Sequence, residues 1–148
     1  MDLTFQEKSL WVSLLSIGGL YGYYFFAVAS GAQEPSLSAM LWTMIGIIVL
    51  LIVVEIVCHA VIGSFHAPEK LDERDRLIEA RAGKISHFIL AGGVIVVLGR
   101  MLIGGALQEA DATLQISAFD TANLLLFVLV LSELVHVGGR IFFYRRGF

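Results

Sequence analysis

A chain of 148 residues that is 57% hydrophobic and only 16% charged, with a mean hydropathy of +0.83, is too apolar for a soluble domain of its size. Its net charge of −3 comes from interspersed signs, not from a basic patch, so direct nucleic-acid binding is not expected. One cysteine, Cys58, excludes an intrachain disulfide and any two-cysteine redox motif.

Bilayer hydrocarbon is about 30 Å thick and takes about 20 helical residues to cross. Four apolar runs reach that length, at 9–30, 38–62, 85–107 and 120–144. They predict an all-α integral membrane protein, a four-helix bundle of two helical hairpins in a single domain over 1–148, with a charged segment at 63–84 between the hairpins. Thr4-Phe-Gln-Glu7 reads as a capping box that starts the first helix ahead of Lys8 and Trp11. Asp2 and Glu7 stand where a signal peptide would be basic, so the first run is expected to remain as a span. Tyr21, Tyr23, Tyr24, Phe25 and Phe26 read as an interfacial aromatic belt, and Gly18-x-x-x-Gly22 as a face for close helix approach. A short turn containing Gly31 and Pro35 leads into the second helix, which carries Trp42 at its outer end and ends near Gly63, ahead of Pro68.

Asp72 suits the N-cap of a charged helical extension that runs directly into the third span. Within it, Arg76 is spaced to pair with Asp72 and Glu79. After the third span the 108–119 connection brings Leu114, Ile116 and Phe119 within reach of the membrane interface, and Asp120 reads as the N-cap of the fourth helix. That helix ends in Arg140-Ile-Phe-Phe-Tyr-Arg-Arg, an aromatic and basic anchor. The halves echo each other: Gly18-Gly19 matches Gly92-Gly93, and Glu55 matches Glu133.

The charges are sorted by side. Lys8, then Lys70, Arg74, Arg76, Arg81 and Lys84, then Arg140, Arg145 and Arg146 fall on one side of the spans, whereas the other two connections hold Glu34, Glu109, Asp111 and Asp120. Cytoplasmic loops retain Lys and Arg, which predicts cytoplasmic termini and a cytoplasmic 63–84 segment, in a bacterial inner membrane. Gly18, Gly22, Gly92 and Gly99 offer flat faces on which a homodimer is expected.

Glu55 and Glu133 carry the strongest chemical signal, because each interrupts an otherwise apolar run. Both lie roughly 10–12 Å from the cytoplasmic boundary at 1.5 Å per residue. A carboxylate at that depth costs several kcal/mol unless it is protonated, paired or coordinating. His59 is one turn from Glu55, His136 one turn from Glu133, and His87 reaches a similar depth from the third helix. Glu55, His59, His87, Glu133 and His136 therefore form a candidate intramembrane polar cluster. Three readings stay open: a self-satisfied structural network, protonatable carriage of protons or cations, and ligation of a metal or haem by His59 and His136. Arg100, near the far end of the third helix, is placed to reach outward to Glu109 or Asp111.

The segment Leu71-Asp-Glu-Arg-Asp-Arg-Leu-Ile, with Arg81-Ala-Gly and the ending Phe143-Tyr-Arg-Arg-Gly147, resembles a family of small bacterial membrane proteins with four spans and a central Asp-Glu-Arg-(Asp/Glu)-Arg-x-Ile motif. Its members are often encoded beside a short helix-turn-helix regulator. The resemblance implies a cytoplasmic regulator as partner, with Asp72, Glu73, Arg74, Asp75 and Arg76 as docking residues; it brings no established activity or catalytic residues and leaves any cofactor unknown. With no phosphate loop and no hydrolase-like nucleophile–base spacing, the chain is not expected to be an enzyme.

Overall fold

The computed structural model of the chain describes residues 5–32, 35–65, 72–110 and 117–146. These form four helices: α1 (Phe5–Ala29), α2 (Leu37–Phe65), α3 (Glu73–Ala110) and α4 (Ala118–Arg146). Each is long and apolar enough to cross a membrane. The 38 residues of α3 extend about 57 Å, nearly twice the hydrocarbon thickness, and the surplus is the charged stretch from Glu73 to Lys84 ahead of the apolar run. The expected Thr4 cap, the Pro68 stop and the expected positions of Leu114 and Ile116 fall outside the described residues.

The ends follow from local chemistry. Gly31 adopts φ +73°, donates its N–H to the Val28 carbonyl at 3.1 Å, and lets Ala32 reach back to Ala27 at 3.0 Å. That closes α1 with a Schellman motif, which needs the left-handed conformation that glycine accepts. Asp72 caps α3 as its spacing predicts: its Oδ1 accepts from the Glu73 N–H at 2.6 Å, while Asp75 Oδ2 accepts from the Asp72 N–H at 3.0 Å. The cap of α4 is Ser117 rather than Asp120, whose own N–H donates to Ser117 Oγ at 3.3 Å. The helix thus begins at Ala118, and Asp120 sits in its first turn, where a carboxylate favours the helix dipole.

Neighbours follow the order α2, α1, α4, α3. Gln6 meets Tyr144 while Tyr24 meets Asn123, so α1 and α4 run antiparallel. α4 and α3 are also antiparallel, since Gly139 lies on Ala82 and Gly93 on Val128. The closest approach is at Gly93, where an added Cβ would stand 2.3 Å from a Val128 methyl. Gly18 meets Leu134 at an ordinary 3.7 Å, and nothing lies against Gly22. The close-approach glycines of α3 and α4 are thus Gly93 and Gly139, not the pair that sequence spacing suggests in α1.

One core joins Tyr21 and Tyr24 of α1, Met40 and Ile47 of α2, and Phe119 and Val130 of α4. Tyr24, expected in an aromatic belt, is only 2% exposed, and Phe119, expected at an interface, is buried beside it; Tyr23, by contrast, is 75% exposed. Tyr24 turns inward because its hydroxyl finds a partner: it donates to Asn123 Oδ1 at 2.7 Å, and Asn123 Nδ2 donates to the Phe119 carbonyl at 3.0 Å. A smaller core of Leu10, Val137 and Ile141 lies at the other end, called the basic end below, where α1 starts and α4 finishes.

Candidate functional site

Between the two cores lies a cavity of about 520 Å³. α1 supplies a stripe at helical spacing, with Gln6, Ser9 and Ser13 as its polar members and Leu10 and Ile17 as its apolar ones. α2 contributes Glu55 and His59, and α4 contributes Glu133, His136, Val137 and Arg140. The i, i+3, i+4, i+7 series on α4 puts all four of its residues on one face. Glu55, His59, Glu133 and His136, read from sequence as one layer, therefore line a common space.

His87 does not line the cavity. It lies on the exposed side of α3, because the face that meets α4 carries Ile78, Ala82, Gly93 and Val97. Cys58 is half-buried on α2 and also off the lining.

The α2 side of the site is tied down. His59 Nδ1 donates to the Glu55 carbonyl oxygen at 2.7 Å and stands 3.4 Å from its carboxylate. Its Nε2 lies 2.5 Å from Ser9 Oγ. The carbonyl can only accept, so Nδ1 carries a proton, while the Ser9 hydroxyl can either donate to Nε2 or accept from it. The α4 side is not tied down. Among the described residues neither Glu133 nor His136 has a hydrogen-bond or ion-pair partner, and Arg140 Nε is buried without an acceptor. The His136 ring instead packs where a side chain on Gly83 would stand, 3.8 Å from such a Cβ. The interval separating Gly18-Gly19 from Gly92-Gly93 also separates Ser9 from Gly83. The echo between the halves thus extends to the position facing each histidine, with a hydroxyl in one half and none in the other.

Below the cavity a second polar group joins three helices. Gln6 Nε2 donates to Asp75 Oδ2 at 3.0 Å, and the Tyr144 hydroxyl contacts both Asp75 Oδ1, at 2.8 Å, and Gln6 Oε1. Burial alone would raise the Asp75 carboxyl. Hydrogen bonds from the Asp72 N–H, Tyr144 and Gln6, with the charge of Arg74, outweigh it and hold Asp75 below its ordinary value. Of the motif residues, Asp72 and Asp75 thus have internal duties, while Glu73, Arg74 and Arg76 are exposed. Arg76 is not within ion-pair distance of Asp72 or Glu79. At the rim, Arg145 stacks over Trp11 at 5.3 Å.

Both nitrogens of His59 are engaged, and among the described residues no group of three or more His, Cys, Asp or Glu side chains is placed to hold a metal ion. A metal or haem at His59 would have to release Ser9 from Nε2. Arg100 is exposed on α3; Asp111 and the Glu109 side chain, its expected partners, lie outside the described residues. Sequence reading missed Gln6, Ser9, Ser13 and Arg140. Polar residues at three- and four-residue intervals in an apolar α1 were the available signal. Arg140 was read only as an anchor because it ends the apolar run.

No family model, curated protein or solved structure matches this chain.

Proposed function

We propose that this chain is a small multi-pass protein of a bacterial inner membrane, folded as two hairpins with both termini and the 63–84 segment cytoplasmic. In this reading it is a conduit for protons or small cations, not an enzyme. One observation carries it: Glu55 and Glu133, from different helices, line one cavity at one depth, and Glu133 has no partner among the described residues. An ionisable group in a membrane span that serves structure alone is normally paired. Among the described residues the outer half is packed around Tyr24 with apolar side chains, so in this reading transit requires helix movement or a second copy of the chain.

The test is proton flux into vesicles containing the purified protein, followed with a pH-sensitive dye. Flux should occur with the wild type and disappear in the Glu55→Gln, Glu133→Gln double variant. Absence of flux, or flux that survives the double change, overturns the reading.

A second reading rests on the exposed Arg74 and Arg76, carried on a helix that Asp75 anchors to α1 and α4. Rigid presentation of two cations suits docking of a cytoplasmic regulator protein. Reversing both to Glu should weaken capture of such a partner; indifference would remove the motif from the interface.

A further inference from the structure

The charges around the cavity limit what can occupy it. Glu55 and Glu133 bring two carboxyl groups to the cavity, Arg140 one guanidinium, and His59 an imidazole with a proton on Nδ1. His136 and the α1 wall of Gln6, Ser9 and Ser13 add no fixed charge. With both carboxylates ionised and His59 in its neutral form, the lining carries a surplus of one negative charge, which favours a cation over an anion. The surplus is also localised. Glu133 is the acid without a partner, whereas Glu55 has His59 beside it. Arg140 lies two turns from Glu133, roughly 10 Å along α4 at 1.5 Å per residue, toward the basic end. The deep end of the cavity is thus acidic, and apolar surface from Leu10, Ile17 and Val137 lies between hydroxyl and amide groups.

We propose that this cavity binds a small organic ammonium ion with an apolar body, in exchange for a proton. The inference rests on the conduit reading above and names its cargo. The ammonium N–H groups donate to the Glu133 and Glu55 carboxylates, and the apolar body lies along Leu10, Ile17 and Val137. Charge stays balanced in the proposed exchange: as the ligand enters, one carboxyl O–H bond of the pair breaks, the proton passes to bulk water and the ammonium takes over its charge. The titratable or charged groups facing the ligand are Glu55 and His59 from α2 and Glu133, His136 and Arg140 from α4, whereas α1 presents none. A cavity of about 520 Å³ falls within the usual range for small-molecule sites.

Titration calorimetry on the full chain in detergent micelles tests this, with benzylammonium as probe and benzoate as its anionic counterpart. Benzylammonium should bind, and runs in buffers of different ionisation enthalpy should show about one proton released per ligand. Glu133→Gln should weaken binding roughly tenfold or more, the loss of a charge-assisted hydrogen bond. Arg140→Gln should tighten it several-fold by removing a like charge. Ser13→Leu, which changes volume but no charge, should weaken benzylammonium more than plain ammonium. Lack of benzylammonium binding, binding indifferent to loss of both carboxylates, or binding of benzoate that Arg140→Gln weakens would each overturn the proposal. If the amine fails to bind while proton flux still depends on Glu55 and Glu133, only this inference falls; if flux also fails, the conduit reading falls with it.

Discussion

Tyr24 with Asn123, which joins α1 to α4, and Glu133 with Arg140, both on α4, are polar pairs in opposite halves of the molecule. In the first pair every strong demand is met: the phenol donates to the amide oxygen, and the amide donates to a backbone carbonyl. The surrounding side chains are apolar, and the open space beside Tyr24 is walled almost entirely by apolar groups. In the second, the carboxylate has no partner and the guanidinium Nε has no acceptor, yet both border open volume. The contrast is between a buried pair that satisfies itself and an exposed carboxylate, Glu133, that shares open volume with a guanidinium whose buried Nε is unsatisfied.

The comparison breaks most visibly where packing is densest. Tyr24→Ala should cost about 3–5 kcal/mol, because it removes a large side chain from the core and strands Asn123. SDS denaturation of the micellar protein, followed by fluorescence of Trp11 and Trp42, measures it. Gly93→Ala should cost about 1–3 kcal/mol on the same scale, since the new methyl overlaps a valine whose β-branch leaves it little freedom to move. Asp75→Asn should cost about 1 kcal/mol through weaker bonds to Tyr144 and Gln6. It should also flatten the acid limb of stability. The folded carboxyl lies below its unfolded value of about 3.9, so its contribution is complete above about pH 4 and disappears as pH falls through the folded value. The smallest change is expected at the site. Glu133→Gln should alter stability by less than about 0.5 kcal/mol, or raise it, because no partner loses a bond. A large loss there would show that Glu133 is structural and erase the distinction between the two halves.

Helix number was legible because hydropathy over twenty residues is a strong signal, and depth was legible because rise per residue is fixed. That placed Glu55, His59, Glu133 and His136 in one layer. Rotation was not legible. A helix that is apolar on every side gives no periodic cue to which side meets protein, so Tyr24 and its neighbour Tyr23 read alike, and His87 read like His136. What separates them is partner geometry: Asn123 opposite Tyr24, and Ala82 and Gly83 rather than His87 on the face that meets α4. The α1 stripe was visible in principle, but serine in a span usually bonds its own backbone, as Ser86 and Ser132 do here.

α2 has the most apolar window of the four helices, and none of that window is buried, whereas α4 is less apolar and buries the largest share. On the membrane-spanning reading proposed above, α2 partitions into the bilayer by its own hydrophobicity. α4, which follows the other three and carries Asn123, Glu133, His136 and Arg140, is then assisted by α1 and α3 already in place. Sequence drift should follow the same asymmetry. The outward flank of α2 tolerates exchange among Leu, Ile, Val and Phe, while α4 is constrained on the sides it shares with α1 and α3. A random substitution library, scored for accumulation of the protein in cells, would display that asymmetry helix by helix.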